Sequence, residues 1–108
     1  MATRKQTNPI EVATQRLLQL ATRGVQPGRM AREVESIISE WLGGESDPFA
    51  VRERLDELFT LLDAGVADAE EQAADADASE PAFVKQAGQT LAALVASRDA
   101  AARARAGL

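Results

Sequence analysis

Carboxylates are the only side chains in this sequence whose clustering suggests catalysis. Glu53, Asp56 and Glu57 fall within about one helical turn, and Glu70 is followed directly by Glu71. Paired carboxylates do general acid–base work when burial or a neighbouring charge keeps one of them protonated. Here neither group has an apolar context, and the chain contains no His, Cys or Tyr to share the chemistry. Ser36, Ser39 and Ser46 have no base nearby in sequence, so no activated nucleophile is expected. Gly43-Gly44 is not followed by the Lys-Ser/Thr pair of a phosphate-binding loop. No catalytic residue and no enzymatic activity are expected.

Metal chemistry fares no better. Asp75-Ala76-Asp77-Ala78-Ser79 has the spacing that opens a calcium loop. The sixth position is then Glu80 instead of Gly, the seventh is Pro81, and the twelfth is Gln86 instead of Glu. Without His or Cys a zinc site is excluded as well. No metal and no cofactor are expected. The seven carboxylates from Asp63 to Glu80, uninterrupted by Lys or Arg, read as a solvated acidic face.

Composition bounds the class. The chain has 108 residues, enough for one domain. Hydrophobic residues make up 45%, so a packed core is feasible. Alanine occurs 22 times, which favours helix. Arg outnumbers Lys by ten to two, a bias that suits a GC-rich bacterial or phage genome. No apolar run is long enough to span a bilayer. The Met1–Asn8 segment is polar and basic, with no apolar stretch behind it, so a secretory signal is not expected. These features suit a cytoplasmic protein, or a virion component if phage-encoded.

Charge is unevenly spread. Residues 1–44 carry six Lys/Arg and four Asp/Glu, residues 45–80 carry two and twelve, and residues 81–108 carry four and one. The net charge of −5 argues against general nucleic-acid binding. An acidic middle between basic ends can pair internally or with copies of the same chain.

Four helices position these groups. Asn8-Pro9 and Ser46-Asp47-Pro48 are capping residues followed by proline at the first helical position. Helical spacing then marks Ile10, Ala13, Leu17, Leu20 and Ala21 up to Gly24, and Met30, Val34, Ile37, Ile38, Trp41 and Leu42 from Pro27 to Gly43-Gly44. Val51, Leu55, Leu58, Phe59, Leu62 and Val66 form the strongest stripe, and Leu61 widens its apolar face. Residues 67–77 read as a fraying, solvated continuation burying nothing large. Ser79-Glu80-Pro81 restarts the chain, and Phe83, Val84, Ala87, Leu91, Leu94 and Val95 follow. Ala87, Gly88, Ala92, Ala93 and Ala96 would let this helix approach the third closely. Phe49 is expected to pack back onto Trp41, itself a core residue or an interface anchor. Strand patterns are absent. The expected fold is all-α: two short N-terminal helices packed on a longer C-terminal αα-hairpin, with residues 1–8 as a basic arm and 9–108 as one helical domain.

Two stretches invite comparison with known families. Leu20-Ala21, Gly24-Val25 and a new helix carrying Arg29 and Arg32 resemble the bacterial helix-turn-helix signature over residues 19–34. The resemblance implies DNA contacts by Arg23, Arg29 and Arg32. It departs from the family in the short Ala21–Gly24 spacing and in Pro27-Gly28, where contact residues are expected. Glu33, Glu35 and Glu40 would also repel phosphate. Ala2-Thr3-Arg4-Lys5-Gln6-Thr7 looks superficially like a histone tail, but the family's continuation is missing.

The function expected from the residues is therefore a helical adaptor or assembly protein, self-associating through helix–helix contacts. Its partner interface would be Val51, Leu55, Leu58, Leu62, Val66, Phe83, Leu91, Leu94 and Val95. The alternatives are the helix-turn-helix regulator and an acidic inhibitor of antitoxin type.

Overall fold

Asn8 and Asp47 start two of the four helices as their sequence implies. Asn8 Oδ1 accepts from Ile10 N–H at 2.9 Å, and Asp47 Oδ1 accepts from Phe49 N–H at 3.0 Å. Each satisfies a backbone donor that the first turn leaves orphaned, and each is followed by a proline that has no donor to satisfy. The computed structural model describes residues 8–44 and 47–108, so residues 1–7 of the basic arm, Glu45 and Ser46 lie outside the described residues. Its elements are α1 (Pro9–Thr22), α2 (Pro27–Gly44), α3 (Pro48–Asp75) and α4 (Pro81–Ala106), with no strand among the described residues.

The α1–α2 connection is a left-handed helix cap. Gly24 has φ 80°, Val25 N–H donates to Leu20 O at 3.2 Å, and Gly24 N–H donates to Ala21 O at 3.0 Å. Val25 and Leu20, brought together by this pattern, are half-buried against the core. A Cβ at Gly24 would also come within 3.1 Å of Gln89 Oε1 on α4. The positive φ demands glycine here, since Gln89 is an exposed side chain free to move aside.

α4 touches every other helix, most extensively α3 and then α2. The core collects one stripe from each helix: Leu17 from α1, Met30 and Val34 from α2, Leu55 and Leu58 from α3, Leu94 from α4. α4 contributes mainly alanines, with Ala93, Ala100 and Ala101 buried. Ser97 is fully buried among them and donates its hydroxyl to Ala93 O at 2.9 Å, so it leaves no unpaired donor.

Ion pairs cross between neighbouring helices. Arg16 Nη2 lies 2.9 Å from Glu33 Oε2, tying α1 to α2. Arg98 reaches Asp63 and Arg105 reaches Asp56, each at 3.2 Å, tying α4 to α3. These pairs are partly exposed, and such pairs contribute about 0–1 kcal/mol each. They favour the register, and burial supplies the stability.

The stretch after Val66 continues α3 to Asp75 and stays mostly exposed, with the small Ala69 buried within it. A methyl group suffices there because α3 and its neighbours approach closely. Two sequence expectations are corrected. Phe49 is 64% exposed, whereas Trp41 is buried close to α1, near Pro9, Val12 and Ala13. The proline-capped start of α3 leaves Phe49 pointing away from the core. α3 and α4 do pack closely, with Ala93 buried and Ala87 beside Ala69 and Gln72 of α3, but Gly88, Ala92 and Ala96 border α2.

Candidate protein-interaction surface

The α3 stripe is consumed inside the chain. Val51, Leu55, Leu58 and Leu62 have no solvent exposure, and Val66 and Leu94 have almost none. Their placement in a partner interface is thereby corrected, since α1, α2 and α4 already cover the core they form. Three of the expected contact residues stay accessible: Phe83 is 47% exposed, and Leu91 and Val95 are half-buried.

Leu91 and Val95 line an open groove of about 610 Å³ between α2 and α4, packed against the core with Ala31 and Ala96. Exposed Pro27 and Gly28 from α2 and Gly88 and Ala92 from α4 complete its lining. One end carries Asp99 and Arg103. Helix periodicity explains the lining. Gly88, Leu91, Ala92, Val95, Ala96, Asp99 and Arg103 recur at spacings of three and four, one face of α4. Gly88, Ala92 and Ala96 thus face α2, while Ala87 and Ala93 lie on the side of α4 expected to meet α3. Which face of α4 meets α3 is not a local property of the sequence.

The two glycines of this groove stand in open space, as Gly43 and Gly44 at the end of α2 also do. A Cβ built on Gly65 would meet Leu18 at 3.5 Å and Leu94 at 3.9 Å. A Cβ on Gly28 or Gly88 would meet nothing within 4 Å. Gly88 lies in the interior of α4, where glycine costs roughly 0.5–1 kcal/mol relative to alanine. No contact within the described chain accounts for that cost.

Charge is the second feature. Arg98 and Arg105 are engaged with α3, while Arg32, Lys85 and Arg103 are exposed and make no ion pair among the described residues. The distal end of the hairpin carries Asp68, Glu70, Glu71, Asp75, Asp77 and Glu80, all exposed and none in an ion pair among the described residues. Asp77 accepts from Ser79 N–H at 2.9 Å, and this bond, helped by the Ser79 side chain, holds its carboxyl below the usual range.

The candidate chemical groups do not converge. Glu53, Asp56 and Glu57 lie exposed on a shallow surface beside Ile10 and Thr60, with Asp56 bound to Arg105. No three carboxylates gather as metal ligands among the described residues. Arg23, Arg29 and Arg32 are exposed around the α1–α2 connection. No described helix is long and apolar enough to cross a membrane. No family model matches the chain, and no curated protein or solved structure is detectably similar to it.

Proposed function

We propose that the chain is a non-enzymatic helical assembly protein that self-associates by accepting a helix into the α2–α4 groove. The observation that carries this reading is the groove itself: half-buried Leu91 and Val95 lie beside exposed Gly28, Gly88 and Ala92, and no element of the described chain covers them. Small exposed residues permit a helix backbone to approach closely, and Leu91 and Val95 supply apolar area to bury. Ionic groups confined to one end of the lining match the pattern of an interface core and its rim. Mass measured by light scattering across a concentration series, at low and high ionic strength, tests the reading. Mass that rises with concentration supports it; a monomer at every concentration and salt level overturns it.

A further inference from the structure

We infer that the occupant of the groove is α4 of a second copy of this chain, laid antiparallel about a two-fold axis that passes at Ala92. The inference rests on the self-association reading and names the partner segment and its direction.

Charge excludes a partner of one sign. The groove carries Asp99 and Arg103 at its end, and Glu35 follows Ala31 by four residues on α2. A rim of mixed sign matches a partner with the same mixture, placed so that each acid meets a base. Spacing along α4 supplies that placement. Lys85 lies seven residues before Ala92 and Asp99 seven residues after it, and both are exposed. Seven residues make two helical turns, so all three share one face, with the charges about 10 Å to either side of Ala92. Turning a second α4 end for end about Ala92 sets Lys85 of each copy opposite Asp99 of the other. A parallel pair in register would set Lys85 against Lys85 and Asp99 against Asp99. Lys85 makes no ion pair among the described residues. Asp99 has Arg98 at 3.4 Å on its own helix, yet its side chain stays 50% exposed.

Shape agrees with this register. Gly88 lies four residues before Ala92 and Ala96 four residues after it, so the same rotation sets Gly88 of each copy opposite Ala96 of the other. A Cβ on Gly88 would meet nothing within 4 Å, and the partner's Ala96 takes up that space. Side chains this small let two helices pack at the short end of the usual range of about 8–10 Å. Val95, half-buried beside this strip, gains further cover. One patch meeting its own copy is an isologous contact, which closes at two chains.

The test uses the full chain and follows mass against concentration, with helicity checked by circular dichroism. The wild type should reach the mass of two chains and stop. Lys85→Glu and Asp99→Lys each set like charges opposite one another at two symmetric places, which should raise the concentration needed for pairing about tenfold. An equimolar mixture of the two variants should pair as readily as the wild type, because opposite signs face again in the mixed dimer. The chain has no native cysteine, so Ala92→Cys places one thiol at the axis. Under mild oxidation it should link two chains faster than Glu71→Cys, whose exposed thiol lies on α3. If the wild type associates beyond two chains, the mixture pairs no better than either variant alone, or Ala92→Cys links no faster than Glu71→Cys, the inference fails while the assembly reading stands. A wild type that is monomeric at every concentration defeats both.

Discussion

The guanidinium carbon of Arg105 stands 4.6 Å from the centroid of the Phe59 ring. The same guanidinium donates to Asp56 Oδ1 at 3.2 Å, so a residue near the end of α4 is gripped by one face of α3. Phe59 and Asp56 lie one turn apart and present a ring and a carboxylate to one cation. Arg105→Ala should lower stability by about 0.5–1.5 kcal/mol, the range of a partly exposed cation–π contact plus an exposed ion pair. A double-mutant cycle with Phe59→Leu, followed by urea unfolding, should return part of that as coupling. Additive losses would show that the contact contributes nothing.

Glycine replacements should have opposite signs at two positions. Gly88→Ala places a methyl in open space within a helix and should stabilise the fold by roughly 0.5–1 kcal/mol. Gly24→Ala forces a side chain onto a φ of 80° and against Gln89, and should destabilise by roughly 1 kcal/mol or more. Thermal unfolding of the two variants under identical conditions checks the prediction.

Leu58 and Phe83 separate core from surface. Leu58→Ala removes a fully buried side chain and should cost roughly 2–5 kcal/mol. Domains of this kind are stable by roughly 5–15 kcal/mol in total, so that loss is a large fraction. Phe83→Ala acts on a half-exposed ring and should cost much less. Comparable urea midpoints for the two variants would contradict this placement.

Asp77 should titrate below the ordinary carboxylate range, because Ser79 N–H bonds to its ionised form. The stabilisation is present above the unfolded pKa and is lost as pH falls through the folded one. In an NMR titration Ser79→Ala should raise the Asp77 midpoint part of the way, and Ser79→Pro, which removes the N–H, further. An unchanged midpoint in Ser79→Pro would show that this bond is not the cause.

Random duplex DNA should not be shifted by the chain at low salt, and Arg29→Ala with Arg32→Ala should change nothing. The exposed cations of α2 share the helix with Glu33, Glu35 and Glu40, and the whole chain is acidic. A retarded band that disappears in the double variant would favour the regulator instead.

The helices were legible because their signals are local. Asn8-Pro9, Asp47-Pro48 and Gly24 act within a few residues of themselves, through orphan donors and a single φ angle. The stripe Val51–Val66 was legible as apolar, and an apolar stripe has to be covered by something. Which surface covers it is a tertiary matter: α1, α2 and α4 of the same chain do so, and the burial of Val51, Leu55 and Leu62 follows. The groove was illegible for the same reason. A run of alanines with Gly88 reads alike on every face of α4, and only the crossing of α4 over α3 and α2 decided which of those faces is buried. The sequence by itself determined that the chain is helical, where its helices begin, and that it has no His, Cys or Tyr, since local signals and residue type alone govern these. Packing decided where the small residues look out on open space, since exposure belongs to the arrangement of helices and to no single one of them.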